Sequence, residues 1–235
     1  MLEGVTMCNV AVLEFFHNNT EPGEFLGKAV LEVGSRYVNG SVRPFIERFL
    51  KPRLYVGIDL EPGLFVDVVT PAEFMVNVFG VNRFDVVVST ELLEHVRNWR
   101  VVVNAMKLVL KPGGLIFIIT RSRGGFPYHA YPPFDFWRYE VGDMARIFRD
   151  FEIITLMRDP MEPGVFLKAR KPMNWRPADL FNIELYSMIL GRRTRDIPSL
   201  DDMPILRRVT LTILNSRLAS TMPGTLRRLL TRAVS

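Results

Sequence analysis

The chain has 235 residues, a net charge of +5 and a single cysteine, Cys8. This length suits one α/β domain with an appendage, or two small domains, and the lone cysteine excludes a disulfide framework or a cysteine zinc cluster. The first residues carry no basic flank of the kind that precedes a signal sequence, and no apolar run approaches the roughly 20 residues of a spanning helix. We therefore expect a soluble protein of the reducing cytoplasm.

Apolar periodicity predicts an alternation of strands and helices along the first three quarters of the chain. In chain order the predicted elements are a helix or loose segment over 5–17, a strand over 28–34, a helix over 41–50, strands over 54–60 and 64–69, a helix over 71–80, a strand over 83–90, a helix over 97–110, a strand over 114–120, a helix over 140–150, and strands over 151–158 and 164–171. This order predicts a Rossmann-like three-layer α/β sandwich, whose seven-stranded sheet is mostly parallel with an antiparallel last strand.

The pattern changes after residue 171, which we take as a domain boundary between 1–171 and 172–235. Residues 171–235 contain 11 Lys and Arg against 5 Asp and Glu, whereas residues 1–170 contain 19 against 20. Amphipathic patterns predict a basic helical C-terminal extension. Its predicted helices span 173–193, 203–220 and 225–234. Three roles compete for it: packing or a homodimer face, nucleic-acid contact, and association with a membrane surface.

The loop after the first predicted strand lacks the glycines of the common phosphate-binding motifs. A dinucleotide fingerprint starting at Gly34 would need glycine where Arg36 and Asn39 stand, which excludes nicotinamide-dependent redox chemistry. A P-loop would need Lys directly after Gly40. Asp59 ends the next strand, where an acid can accept hydrogen bonds from both ribose hydroxyls. A nucleoside without phosphate fits this loop, and S-adenosylmethionine is such a ligand.

Five blocks of sequence, in order, resemble the class I S-adenosylmethionine-dependent methyltransferases of the broad small-molecule type. The blocks are VLEVGSRYVNG, YVGIDLEPG, FDVVVSTELLEHV, LKPGGLIFIIT and FPYHAYPPFDFWRYEVGDM, and the resemblance covers residues 28–171. Two positions depart from the family pattern: Arg36 and Val38 replace the later loop glycines, and Pro71 stands where an acid near the adenine is usual.

The resemblance implies a cofactor site, with S-adenosylhomocysteine as the product, and no metal. The implied cofactor contacts are Glu32, Gly34, Ser35, Arg36, Gly40, Asp59, Leu60, Ser89, Thr90 and Glu91. His95 is the candidate general base, although positioning alone can support methyl transfer. The implied acceptor contacts are Arg121, His129, Asp135, Trp137 and Arg138.

The residues after the fourth predicted strand limit the classes of methyl acceptor that fit this sequence. Methylation of adenine or amide nitrogen uses an Asn/Asp-Pro-Pro-aromatic motif, and this chain instead has the sequence STEL from Ser89. Methylation of cytosine carbon needs a cysteine nucleophile, and Cys8 lies outside the five blocks. We expect methyl transfer to a small polar acceptor, with oxygen favoured and a sugar or lipid-linked glycan suggested by the fifth block. An RNA methyltransferase that uses the basic extension, and a non-catalytic cofactor-binding module, are the alternatives.

Overall fold

The computed structural model describes residues 10–38, 40–124, 135–214, 222–226 and 229–230. The predicted acceptor residue His129 lies outside these ranges, as do the first part of the helix predicted over 5–17 and most of the extension beyond residue 214. No helix in the described ranges is both long enough and apolar enough to cross a membrane.

A mostly parallel sheet of seven strands forms the centre of the molecule, as predicted. Its strands are β1 Ala29–Val33, β2 Leu54–Asp59, β3 Val68–Val69, β4 Phe84–Thr90, β5 Leu110–Arg121, β7 Glu152–Arg158 and β8 Gly164–Arg170, in the spatial order β3-β2-β1-β4-β5-β8-β7. Strands β1 to β5 pair in parallel, and β8 runs antiparallel between β5 and β7. All five residues of β1 are buried, as expected for a strand covered on both faces.

Helices cover both faces of the sheet and complete three layers. The α-helices of the described residues are α1 Val10–Asn19, α2 Pro22–Phe25, α3 Arg43–Phe45, α4 Met75–Phe79, α5 Trp99–Val109, α6 Val141–Ile147 and α7 Ile205–Leu214. One apolar cluster joins α1 to the sheet through Phe16 and Phe117, whose rings stack 5.1 Å apart. A second cluster joins α5 and α6 to the opposite face, with Trp99 and Met106 fully buried. Burial of these large side chains fixes both layers on the sheet.

The connection order creates a switch point between β1 and β4. The chain leaves β1 toward β2 and β3 on one side, then returns to form β4 on the other side of β1. Ligands of open α/β sheets bind outside the carboxyl ends of the strands at such a point. The fold therefore directs attention to the residues that follow β1, β2 and β4.

The helix predicted over 173–193 is wrong. The chain there forms a hairpin of β9 Leu185–Ser187 and β10 Arg192–Thr194, and β9 also pairs with β6 Trp137–Arg138 in a second, antiparallel sheet. Gly191 has a φ of +68° and closes the turn, which the helical reading did not anticipate. All three residues of β9 are buried, so burial against the core outweighs the helical spacing of apolar residues.

Several other boundaries differ from the prediction. The helix predicted over 41–50 consists of α3 followed by a π-helical turn, Ile46–Leu50, and the strand predicted over 64–69 is only the two residues of β3. The helix predicted over 71–80 divides into a 3-10 turn, Ala72–Phe74, and α4. The proposed division of the chain at residue 171 stays a prediction, although Leu185 and Met188 belong to the same apolar cluster as α5 and α6.

Candidate active site

The turn after β1 is held tightly between β2 and the segment that follows β4. Gly34 has a φ of +82°, and its backbone N–H and that of Ser35 both donate to the carbonyl oxygen of Ile58, at 2.9 and 3.0 Å. A Cβ atom on Gly34 would lie 3.0 Å from the Cβ of Leu92. Both the backbone conformation and the close approach require glycine at this position.

Glu32 is buried beneath this turn and bonded to the neighbouring strand. The hydroxyl of Tyr55 donates to Glu32 Oε2 at 2.9 Å. Burial raises the pKa of the Glu32 carboxyl to about 8, and the hydrogen bond from Tyr55 and the charge of Arg43 only partly oppose this shift. Glu32 thus joins β1 to β2 and supports the turn from below, in a state that is largely protonated at neutral pH.

The raised pKa of Glu32 makes the stability of the fold depend on pH. The folded state holds a proton that the unfolded chain releases near its ordinary value of 4.5, so this group lowers the free energy of unfolding as pH rises from 4.5 to about 8. We expect Glu32→Gln to match the wild type near pH 5 and to exceed it near pH 8 by up to roughly 4 kcal/mol. Urea unfolding at both pH values measures this, and a difference that is independent of pH would contradict the assigned state.

Asp59 ends β2 with its carboxylate oriented by backbone donors. The N–H groups of Arg36 and Glu61 donate to its two oxygens, each at 3.2 Å. The Arg36 guanidinium lies 4.0 Å from the Asp59 carboxylate and 2.9 Å from that of Glu61. The Asp59 side chain remains 19% exposed. A fixed, accessible negative charge at the end of the second strand is the arrangement that can accept hydrogen bonds from ribose hydroxyls.

Glu91, directly after β4, has a strained backbone and a carboxyl group with a raised pKa. Its φ of +53° is uncommon for a residue with a side chain. Arg121 Nη2 donates to Glu91 Oε2 at 2.7 Å, and the other terminal nitrogen of Arg121 contacts Glu162. Although 42% of the Glu91 side chain is exposed, partial burial of the carboxyl and then the charge of Glu94 raise its pKa to about 7, against the opposing effect of Arg121.

Three buried polar atoms at this edge of the sheet have no partner. Among the described residues, four buried side-chain nitrogen or oxygen atoms lack a hydrogen bond, and three of them are Ser35 Oγ, Ser89 Oγ and Glu94 Oε1. The second oxygen of Glu94 accepts from the Thr120 hydroxyl at 2.9 Å. Such atoms are rare in folded proteins, because each costs the desolvation energy of a polar group. Their position at the ends of β1 and β4 fits a polar ligand that would complete their hydrogen bonds.

The other predicted cofactor residues lie around the same edge. Leu60 is exposed directly after Asp59, Thr90 ends β4, and Gly40 precedes α3 with a φ of +143°. His95 is exposed at the end of a 3-10 turn, Leu93–His95, and its backbone N–H donates to the carbonyl of Leu92. The structure thus brings the predicted residues after β1, β2 and β4 together. Cofactor contact by each of them stays a prediction.

The residues predicted to contact the acceptor divide into two groups. Arg121 lies at the mouth of the site, on the end of β5. Asp135 and Arg138 instead form a buried bidentate ion pair, and the fully buried Trp137 donates its indole N–H to the carbonyl of Arg97 at 2.9 Å. These three side chains hold β6 against the core. An acceptor could contact them directly only if the residues that bury them moved away.

Sequence reasoning did not single out several residues that shape the site. Glu94 lies in the sequence block FDVVVSTELLEHV, three residues after Glu91, and this spacing could have identified it as a second carboxylate of the site. Tyr55 and Glu162 gave no such signal, because their contacts with Glu32 and Arg121 span 23 and 41 residues of sequence. Among the described residues, no group of three or more His, Cys, Asp or Glu side chains is arranged to hold a metal ion.

A groove of about 560 Å³ lies at the opposite edge of the sheet. It is lined by residues at the amino ends of the strands, including Leu54, Phe84 and Lys111. Asp85 organises this edge, since one of its oxygens accepts from the backbone of Ala29 and the other from Lys111, at 2.9 and 2.8 Å. None of the unpaired buried atoms of Ser35, Ser89 and Glu94 lines this groove. We therefore place the chemistry at the carboxyl edge.

A doubly wound sheet with a glycine turn after β1 and an acid at the end of β2 defines a class of nucleoside-binding α/β enzymes. Within this class, a family model described as a methyltransferase domain matches residues 11–159. The chain belongs to that methyltransferase family, and it is a class I S-adenosylmethionine-dependent enzyme with S-adenosylmethionine as its cofactor. No curated protein matches the sequence.

Solved structures share this fold at low sequence identity. The Burkholderia thailandensis 1,6-didemethyltoxoflavin-N1-methyltransferase, solved with bound 1,6-didemethyltoxoflavin and S-adenosylhomocysteine, has a TM-score of 0.50 and 17% identity, over 71% of this chain and 78% of that one. A Mesorhizobium loti S-adenosylmethionine-dependent methyltransferase has a TM-score of 0.53 and 15% identity, over 69% and 99%. The (4+2)-cyclase SpnF has a TM-score of 0.55 and 15% identity, over 69% and 80%. These likenesses describe the fold alone.

Proposed function

We propose that this enzyme transfers a methyl group from S-adenosylmethionine to a polar atom, preferably an oxygen, of a small acceptor. The observation that carries the proposal is the convergence of Asp59, Glu91 and the unpartnered buried oxygens of Ser35, Ser89 and Glu94 at one edge of the sheet. The proposed cofactor contacts are Glu32, Gly34, Ser35, Arg36, Gly40, Asp59, Leu60, Ser89, Thr90 and Glu91. Of these, Glu32 acts through the turn it supports, because it is itself buried.

The residues of the chain have two tasks in such a reaction. The cofactor, when bound, supplies an electrophilic methyl group, and an acceptor hydroxyl that takes it must lose a proton. Asp59 and the Gly34 turn hold the nucleoside, so that donor and acceptor meet in line. Glu91 is the proposed proton acceptor, since a carboxyl with a pKa of about 7 is half ionised at the working pH. His95 is the alternative, because its imidazole is exposed at this edge and histidine is the side chain that most often serves as a general base.

The acceptor is the least constrained part of the proposal. A sugar or glycan is suggested only by the fifth sequence block, around β6, and analogy of fold does not determine an acceptor. One structural neighbour is named as a methyltransferase for 1,6-didemethyltoxoflavin and another as a cyclase. Arg121 is the proposed acceptor contact with accessible surface, and an anionic or hydroxyl-rich acceptor would suit its guanidinium. The roles of His129, Asp135, Trp137 and Arg138 in acceptor binding, a cytoplasmic location and a homodimer remain predictions.

Calorimetric titration of the purified protein with S-adenosylmethionine and S-adenosylhomocysteine tests the proposal. We expect micromolar binding of both, followed by transfer of labelled methyl groups to at least one member of an acceptor series of sugars, lipid-linked saccharides and small phenols. Binding without transfer to any acceptor would favour a non-catalytic module. Transfer to an RNA oligonucleotide in preference to the small acceptors would favour the RNA methyltransferase alternative. A folded, ligand-free protein that binds neither compound would refute the proposal.

A further inference from the structure

Helix α7 exposes an aliphatic patch to solvent although two of its polar residues are buried. Arg207 and Thr210 are buried, whereas Ile205, Leu206 and Val209 are 81%, 76% and 49% exposed. These three residues lie at positions i, i+1 and i+4 and therefore share one face. A surface helix normally buries such a stripe, and exposed aliphatic clusters mark sites of interaction. We call Ile205, Leu206 and Val209 the outer face of α7.

The orientation of this outer face is fixed by contacts on the buried side. Arg207 Nε donates to the carbonyl oxygen of Met188 at 2.7 Å. Its guanidinium lies against Gly191, where an added Cβ atom would come within 2.5 Å of Nη1. The contact with the hairpin therefore depends on glycine in the turn and on a buried arginine in the helix. Because these polar contacts face inward, the aliphatic residues face outward.

The composition of the surrounding sequence indicates the chemistry of the partner. Residues 203–235 contain six Arg, no Lys, no Asp or Glu and no Phe, Trp or Tyr. A second copy of this chain would bring like charges together, which is unfavourable at a symmetric interface. Single-stranded nucleic acids are bound through aromatic stacking, and this segment has no aromatic side chain. Aliphatic side chains among arginines suit an anionic lipid surface, because aliphatic groups can insert toward the acyl chains while positive charge attracts the acidic headgroups.

We infer that the outer face of α7 attaches this enzyme to an anionic membrane surface. The helix lies in the plane of the headgroups and inserts Ile205, Leu206 and Val209, and the net positive charge of the sequence 203–235 favours an acidic lipid surface. Leu226 and Leu229, later in the same basic segment, are also exposed. The inference does not rest on the identity of the acceptor or on methyl transfer.

Co-sedimentation with vesicles tests the inference with the full-length chain. The probe vesicles are an equimolar mixture of phosphatidylcholine and phosphatidylglycerol, with pure phosphatidylcholine as the neutral comparison. The test variant is Ile205→Gln/Leu206→Gln, which keeps good helix formers at both positions. The matched control is Leu26→Gln/Phe49→Gln, which removes two exposed apolar side chains elsewhere. Thermal unfolding and binding of S-adenosylhomocysteine establish that both variants retain the wild-type fold.

We expect the wild type and the control to bind the anionic vesicles, with binding that weakens as salt rises. The affinity of the test variant for the anionic vesicles should fall by at least roughly tenfold, because two aliphatic side chains no longer insert. Equal binding by the test variant, or no preference for anionic vesicles, would overturn the inference. So would salt-sensitive binding of polyuridylate RNA in place of vesicles. A dimer in sedimentation velocity that only the test variant loses would assign the outer face to a second copy.

Discussion

Replacement of Asp59 by Ala is expected to lower the affinity for S-adenosylmethionine and S-adenosylhomocysteine by roughly 100-fold or more. A carboxylate that accepts two ribose hydroxyls forms two charge-assisted hydrogen bonds, each worth about 1.5–3 kcal/mol, and each 1.4 kcal/mol is a factor of about ten. The backbone donors from Arg36 and Glu61 orient this carboxylate, so little reorganisation accompanies binding. Calorimetric titration of the variant with both compounds measures the loss.

A matched control separates loss of the ribose acid from loosening of the loop. Glu61→Gln removes the ion pair of Arg36 but leaves the Asp59 carboxylate in place. We expect Glu61→Gln to bind the cofactor within a fewfold of the wild type, because the pair is exposed and exposed pairs contribute roughly 0–1 kcal/mol. If both variants lose affinity equally, the loop conformation and not the Asp59 carboxylate holds the ligand. Unchanged affinity in Asp59→Ala would remove Asp59 from the cofactor site.

Replacement of Glu91 by Gln is expected to slow methyl transfer by roughly 10² to 10⁴-fold, the range for loss of a general base. Since the carboxyl has a pKa of about 7, the wild-type rate should rise with pH through that value and then level off. The variant should show no such rise, because the amide does not titrate. The measurement is the pH dependence of kcat/KM with the best acceptor of the screen, together with the affinity for S-adenosylhomocysteine.

Glu162→Gln provides the control for Glu91. Both carboxylates contact Arg121, so a purely structural role in holding Arg121 should make the two variants alike. A proton-accepting role predicts that Glu162→Gln keeps the pH-dependent rise. His95→Asn tests the alternative base, and a rise lost only in that variant would transfer the role to His95. Weaker S-adenosylhomocysteine binding by Glu91→Gln with an unchanged pH profile would assign Glu91 to the cofactor alone.

The central fold followed from local sequence signals. Each buried strand appears as a short apolar run, and Glu32 and Asp59 stand at the ends of two such runs, so the carboxyl edge of the sheet could be located. The antiparallel last strand followed from two adjacent runs separated by a turn-rich gap. These features depend on neighbours in sequence, which one chain displays directly.

What the sequence did not predict depends on distant contacts. The apolar residues of 173–193 have helical spacing, yet burial of Leu185 and Tyr186 against β6 selects a hairpin. Trp137 was predicted to contact the acceptor, because aromatic-rich loops after a strand commonly bind ligands. In the structure its side chain is fully buried in the core. The raised pKa of Glu91 arises from burial of the carboxyl and then from the charge of Glu94, and no local sequence pattern reveals either cause.

The pairing of β6 with β9 connects residues beyond the family match to the proposed active site. β9 lies outside residues 11–159, yet Met188 donates its N–H to the carbonyl of Phe136, and Phe136 donates in turn to the carbonyl of Glu94, at 2.8 and 2.7 Å. A chain of backbone hydrogen bonds therefore runs from the extension to the turn beside Glu91. Truncation just after β8 would leave the edge of β6 unpaired and prone to association with other chains. We therefore expect substitutions in the hairpin to shift the turn around Glu94 through the backbone, without contacting any of the proposed cofactor residues.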